Sequence, residues 1–324
     1  MKVTKDDLHE SLKSLYFPLS IMTRLTRYKW YRALMNKTMS STLKFKSLDN
    51  IHSHETHVPS SDGQYQIRVK VYRPAGVEAD LPVMLYLHGG GYISGCPEVA
   101  LGSIEKFINT RQCVVVAPDY RKAFEAPFPA GFNDCYDTLL WIRDQASSLG
   151  VLPDKLMIGG HSAGGGMTAA LTLKARDTKD VKVAFQMPIY PMIDDTQVDD
   201  PERSMESLIW DDEMNKIAWT AYLSGLKAQG KDVPSYAAPA RNKDYQDFPP
   251  TLSFVGDKEP FYQETVDYVE ALKAADIPVT FKVFEGCFHA FDMFEHTEIG
   301  SEAQRYTMEN YAKYYDKYIQ FVAK

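Results

Sequence analysis

Residues 156–175 read LMIGGHSAGGGMTAALTLKA. A short apolar run is followed by a glycine-flanked serine and then by a stretch of helix formers. Gly160-x-Ser162-x-Gly164 is the G-x-S-x-G pattern in the strand–turn–helix setting that it requires. A sharp turn lifts the serine hydroxyl clear of the sheet. Side chains two residues to either side would strike neighbouring backbone, so both positions call for glycine. The helix that starts here also turns its positive end toward developing negative charge. Two rival readings fit less well. Gly164-x-Gly166-x-x-Ala169 has dinucleotide-type spacing but lacks an acidic residue about 20 positions on, after the next strand. A phosphate loop would need Lys-Ser/Thr where Met167-Thr168 stands. A tight turn without chemistry is the plain alternative.

Outward from this turn, short apolar runs alternate with helical stretches. Tyr65–Tyr72 alternates in polarity, and runs at 82–87, 113–117, 156–158, 183–189, 251–255 and 279–284 read as strands. Helices are expected over 101–110, 132–148, 163–176, 262–275 and 302–322. This rhythm predicts an α/β fold with a mostly parallel sheet whose strands are buried on both faces. Residues 1–50 read as helical, with Ile21, Met22, Leu25 and Tyr28 at helical spacing and Pro18 marking a start or kink. The polar stretch 52–61, with its HSHETH cluster, reads as a solvated loop without metal-ligand spacing. The long interval 194–247 holds Trp210, Trp219 and Tyr222 among acidic residues. It reads as an inserted cap.

Composition narrows the function classes. The 324-residue chain carries 36 Lys/Arg and 43 Asp/Glu, a net charge of −7, a poor basis for binding nucleic acid. The charge is uneven: residues 1–49 hold ten Lys/Arg against four Asp/Glu. Cys96, Cys113, Cys135 and Cys287 form no C-x-x-C pair and read as reduced thiols. With neither an apolar leader at the amino terminus nor an 18-residue apolar run, a cytoplasmic protein is expected.

His88-Gly-Gly-Gly91 follows the run PVMLYL. Its backbone N–H groups are suited to an oxyanion, and the N–H of Ala163, after the serine, would join them. A base should come late in the chain, and His289 in CFHAF follows the last expected strand. His296 lies in the charged stretch EHTE and reads as solvated. His161 should point away from Ser162, and His88 should order its own loop. Asp257 and Glu259 compete as the acid after the strand TLSFV, and loop position alone does not choose between them.

HGGGY (88–92), APDYR (117–121) with PFPA (127–130), GGHSAGG (159–165), YPMIDD (190–195) and the Trp210…Trp219…Tyr222-Leu223 series together resemble the hormone-sensitive-lipase-like branch of α/β-hydrolases, the bacterial HGGG carboxylesterases. The resemblance runs from about Pro82 to His296. It implies an α/β-hydrolase fold with a helical cap built from residues 1–55 and 194–247 over a catalytic part at 56–193 and 248–324. It implies a serine carboxylesterase for small, short-acyl esters. The catalytic residues would be Ser162, Glu259 and His289, and the oxyanion donors Gly90, Gly91 and Ala163. Glu259-Pro-Phe with Glu264 matches the family's acid motif, which favours Glu259 over Asp257. No cofactor or metal is implied. A small-molecule ester is the expected partner, a homodimer is allowed for, and membrane contact is not expected. Amide hydrolysis with the same residues and a membrane-surface lipase are the alternatives. The sequence departs from the family at His161, where an Asp is usual, and at Phe124, where a Pro is usual. Activity should fall as pH drops through about 6.5, because the base acts only when neutral.

Overall fold

The computed structural model describes residues 1–43 and 48–320. Eight strands form one sheet: β1 (Ile51–Pro59), β2 (Gln66–Pro74), β3 (Leu81–Leu87), β4 (Val114–Pro118), β5 (Val151–His161), β6 (Val183–Ile189), β7 (Thr251–Gly256) and β8 (Val279–Phe284). Their spatial order is β1-β2-β4-β3-β5-β6-β7-β8. β2 runs antiparallel to both of its neighbours, and β4 through β8 are mutually parallel. The architecture is the expected α/β-hydrolase one.

The apolar runs become strands because both faces of the sheet are covered. Every residue of β3 and of β4 is buried. With the two-residue period of a strand, Val83, Leu85 and Leu87 enter one core while Met84 and Tyr86 enter the other. The first core is closed by α4 (Ala130–Asp144) and α6 (Ala163–Thr178) through Phe132, Leu139, Met167 and Leu171, with the short α5 (Ala146–Leu149) following α4 and α8 (Tyr262–Ala274) following β7. The second is closed by α3 (Leu101–Thr110) and α9 (Glu298–Tyr314) through Ile104, Phe107, Ala303 and Tyr311. The helix expected over 302–322 thus begins earlier. It continues as one π turn over Tyr315–Ile319, and the expected residues 321–322 lie outside the described residues.

The loop expected over 52–61 is instead the edge strand β1. It pairs with β2 in unbroken register from Ile51↔Pro74 to Pro59↔Gln66. Its side chains are mostly exposed and only Ile51 and Val58 are buried. Backbone pairing, not apolar burial, makes this strand.

The amino-terminal segment forms α1 (Tyr16–Thr26) and α2 (Lys29–Leu43) after short 3₁₀ turns. Pro18 sits in the first turn of α1, where its missing N–H costs nothing. The face that α1 buries carries Leu19 and Thr23, while Ile21 and Tyr28 stand exposed. The segment is stitched to residues 204–213. Val3 N–H donates to the Glu206 carbonyl at 2.9 Å, Ile209 N–H to Thr23 Oγ1 at 2.8 Å, and Arg27 pairs with Asp211 at 2.6 Å and Glu213 at 2.8 Å. In the interval 194–247, α7 (Asp212–Ala228) starts from Asp211, whose carboxylate accepts the Met214 N–H at 3.0 Å.

One seam of the sheet is thin. β6 and β7 share a single register pair, Gln186↔Thr251. Pro188 brings no N–H to this ladder. Two backbone hydrogen bonds flank that pair, Gln186 N–H to the Pro250 carbonyl and Tyr190 N–H to the Phe254 carbonyl, each at 2.9 Å. Side chains add to them: Gln186 Nε2 donates to Thr251 Oγ1 and to the Tyr268 hydroxyl, each at 3.0 Å, and Ser253 Oγ donates to the Pro188 carbonyl at 2.5 Å.

Candidate active site

Three strand ends converge at the carboxyl edge of the sheet, where open α/β sheets hold their ligands. β5 ends at the serine turn. Ser162 has φ +60° and ψ −123°, a conformation costly for a residue with a side chain. The turn is over-determined: Ser162 N–H donates to the Ile189 carbonyl at 3.0 Å, and the Ser162 carbonyl accepts Met192 N–H at 3.1 Å and Gly166 N–H at 2.9 Å. The surrounding glycines are sterically required. A Cβ on Gly160 would lie 2.5 Å from both the Leu87 and Gly164 carbonyl oxygens, and one on Gly164 would overlap the Leu87 carbonyl.

Ser162 Oγ lies 2.9 Å from His289 Nε2. The other ring nitrogen, Nδ1, makes a short hydrogen bond to Glu259 Oε2, and Glu259 Oε1 accepts the Gly256 N–H at 3.0 Å. Glu259 is fully buried, and Ser162 keeps 7 % of its surface. The carboxylate therefore fixes the imidazole with Nδ1 protonated and Nε2 free to accept from the serine. The rings of Tyr190 and Phe261 stand nearly perpendicular to the imidazole at 4.9 and 5.0 Å. Asp257, the competing carboxylate, faces elsewhere. Its Oδ1 accepts Gly286 N–H at 2.6 Å, and it pairs with Lys258 at 2.9 Å.

The glycine loop after β3 lies against the same turn, with Gly89 facing the His161 carbonyl and Ser162 Cβ. Gly90 (φ +120°) and Gly91 (φ +59°) adopt backbone conformations open mainly to glycine. Among the described residues neither N–H donates to a protein acceptor, and Ala163 is the first residue of α6, where the N–H has no intrahelical partner. The indole of Trp210 occupies the space that a Cβ on Gly91 would need. Trp210 is held by Nε1 donating to Asn215 Oδ1 at 3.2 Å, and Asn215 Nδ2 donates to Gln197 Oε1 at 2.7 Å.

His88 orders its own loop as expected. Its Nδ1 bonds the Gly89 carbonyl at 2.7 Å, Lys122 Nζ donates to its Nε2 at 3.1 Å, and its ring stacks on Tyr120 at 4.2 Å. Burial, helped by the Lys122 charge, lowers its pKa to about 3. His161 points away from the serine and makes a short hydrogen bond to the Tyr86 hydroxyl. Burial lowers its pKa also to about 3. His296 is exposed.

Sequence reasoning missed Asp292. It is buried three residues past His289, and its Oδ1 accepts the Tyr190 hydroxyl at 2.8 Å. Burial pushes its pKa up to about 6. Its spacing from the histidine was visible in the sequence. Its neighbours, drawn from three other strand ends, were not. Among the described residues no cluster of His, Cys, Asp and Glu could hold a metal ion, and no helix is long and apolar enough to cross a membrane. All four cysteines are free and buried.

Residues 84–293 match the family model described as the alpha/beta hydrolase fold. The chain belongs to the α/β-hydrolase family, in its hormone-sensitive-lipase-like branch. It is 31% identical to the carboxylesterase NlhH of Mycobacterium tuberculosis over 220 residues, covering 67% of this chain and 69% of that one. It is 27% identical over 229 residues to the esterase LipI of the same organism, 66% of this chain and 67% of that one. Among solved structures, a bacterial heroin esterase superposes with a TM-score of 0.85 at 27% identity, over 96% of this α/β-hydrolase and 99% of that chain. A hyperthermophilic esterase from Pyrobaculum calidifontis does so with 0.81 at 27% identity, over 94% and 98%.

Proposed function

We propose that this carboxylic ester hydrolase is a serine carboxylesterase that works through an acyl-enzyme. The observation that carries the reading is the continuous hydrogen-bonded series Ser162 Oγ, His289, Glu259, set beside a loop with unengaged N–H groups. Ser162 Oγ attacks the ester carbonyl carbon while His289 Nε2 takes its proton. The N–H groups of Gly90, Gly91 and Ala163 receive the oxyanion. Glu259 stabilises the imidazolium without taking its proton. His289 then protonates the departing alkoxide, and water, deprotonated by the same nitrogen, releases the acid. Residues 1–43 and 194–247 act as the cap, residues 51–55 belonging instead to β1 of the sheet, and the Trp210 indole against Gly91 shortens the acyl side of the site, which favours short acyl chains.

The test is hydrolysis of a chromogenic ester series, acetyl to dodecanoyl, by wild type and Ser162→Ala. A short-chain optimum and a loss of about 10³-fold or more in kcat are expected. Equal rates in the two proteins would reduce the serine turn to architecture. A matched amide series separates the amidase alternative.

One observation favours a second setting for the same chemistry. Phe17 and Ile21 of α1, Tyr28 at the junction, and Trp30 and Leu34 of α2 are all exposed, beside Arg24 and Lys29. Such a mixed apolar and basic face suits an anionic lipid surface. Co-sedimentation with phosphatidylglycerol vesicles tests it, and no binding ends the interfacial reading.

A further inference from the structure

Asp292 has no part in the scheme above, yet its carboxylate is buried to 3% exposure. A buried carboxylate without a cationic partner is costly, and such a group is retained where it acts on something nearby. The groups that face it come from several elements. Tyr190, just past β6, donates its hydroxyl to Oδ1. Gln304 of α9 donates Nε2 to the Asp292 carbonyl at 3.0 Å and lies 3.4 Å from Oδ2. His161, at the end of β5, has Nε2 at 3.9 Å from Oδ2 and is itself tied to Tyr86 of β3. Glu259 and His289 complete the surroundings and interact with it electrostatically. Behind Gln304, Lys106 of α3 donates to its Oε1 at 3.0 Å and pairs with Glu295.

Asp292 is thus linked to His289 twice, once through its charge and once through a ring. It is a second carboxylate, after Glu259, whose charge acts on the imidazole. It also anchors the hydroxyl of Tyr190, whose ring stands at 75° to the imidazole with centroids 4.9 Å apart. Tyr190 has φ +34°, a strained backbone for a bulky residue, which persists only where its surroundings hold it.

We propose that Asp292, acting through its charge and through Tyr190, is a positioning residue that holds the His289 ring and stabilises its protonated form during acyl transfer. This rests on the serine esterase reading. It adds to that reading a second carboxylate that never touches the substrate. The departure at position 161 then has a counterpart. The family's usual acid at that position is replaced by a neutral imidazole, and an acid stands at 292 facing it.

The experiment measures kcat, KM and the acid limb of the pH–rate profile for wild type, Asp292→Asn, Asp292→Glu and Tyr190→Phe, on a soluble acetyl ester. Ser162→Ala runs beside them. Removing the negative charge makes the imidazolium less stable, so the acid limb of Asp292→Asn should move to lower pH by about one unit. Its kcat should fall about tenfold, the equivalent of one pKa unit, with KM changed less than about twofold. Asp292→Glu should bring the limb back toward its wild-type position. Tyr190→Phe keeps the ring but drops the anchor, and should lower kcat without moving KM. An unmoved limb in a folded Asp292→Asn enzyme overturns the proposal, as does an effect confined to KM. If Asp292→Asn fails to fold, Tyr190→Phe decides by its kcat and KM. Undiminished activity in Ser162→Ala would instead sink the esterase reading, a result separable from either of the others.

Discussion

Replacing Asp292 by Asn should stabilise the protein, and the gain should depend on pH in a way set by burial. The native pKa of about 6 lies above the carboxylate's ordinary 3.8. The folded state thus binds this proton more tightly than the unfolded chain does. Stability from that group is fully present below pH 3.8 and is lost as pH rises through 6. The difference of roughly two units corresponds to about 3 kcal/mol at pH 8. At pH 5 the same linkage leaves about 1.6 kcal/mol, and below pH 3.8 almost nothing. Asparagine stays neutral throughout and retains an acceptor for the Tyr190 hydroxyl. Urea unfolding of the two proteins at pH 8, 6 and 5 reads the effect directly. With a slope of about 3 kcal/mol per molar urea, the midpoint should rise by about 1 M at pH 8 and by about half that at pH 5. A variant no more stable than wild type at pH 8 would refute the reasoning, as would a gain equal at every pH. Greater stability with lower kcat is the trade expected of a group kept for catalysis.

Further outcomes follow from the same site. Glu259→Gln should lower kcat by about 10³-fold or more, while Asp257→Asn, whose carboxylate serves Gly286 and Lys258, should stay within a few-fold of wild type in the same ester assay. Trp210→Ala should raise the octanoyl-to-acetyl ratio of kcat/KM by about tenfold or more. It should also cost about 3 kcal/mol in urea unfolding, and an unchanged chain-length profile would remove the indole from the acyl side. His161→Gln removes an imidazole held neutral to about pH 3. Its imidazole stabilises the folded state above pH 6.5, and that contribution is lost as pH falls toward 3. The variant's stability should therefore fall less than that of wild type between pH 7.5 and pH 5, by up to about 2 kcal/mol.

The parallel strands were legible because burial on both faces writes them as unbroken apolar runs. β1 was not, because an edge strand is made by backbone pairing with β2 and its HSHETH side chains record only solvent. The apolar spacing of α1 signalled a helix without marking its inward face, where Leu19 and Thr23 are buried while Ile21 and Tyr28 stand exposed. Ser162 and His289 could be picked out by their fixed places after particular strands. Loop position alone left Asp257 and Glu259 open and the motif around Glu259 favoured the latter, while the directions of the two side chains, one toward His289 and the other toward Gly286, are not encoded in spacing. The contact of Asp292 with Tyr190 joins residues 102 apart, and no local pattern announces it.

The thin seam between β6 and β7 divides the site itself. Ser162 and the glycine loop belong to the β3–β5 side, and Glu259 and His289 to the β7–β8 side. Parting the sheet along that one line would draw Ser162 away from His289 while leaving each half largely paired. Catalysis is then a gauge of that joint. In mild urea the enzyme should fall silent before its bulk structure melts, and amide exchange should be fastest at 186–190 and 250–254 among the central strands.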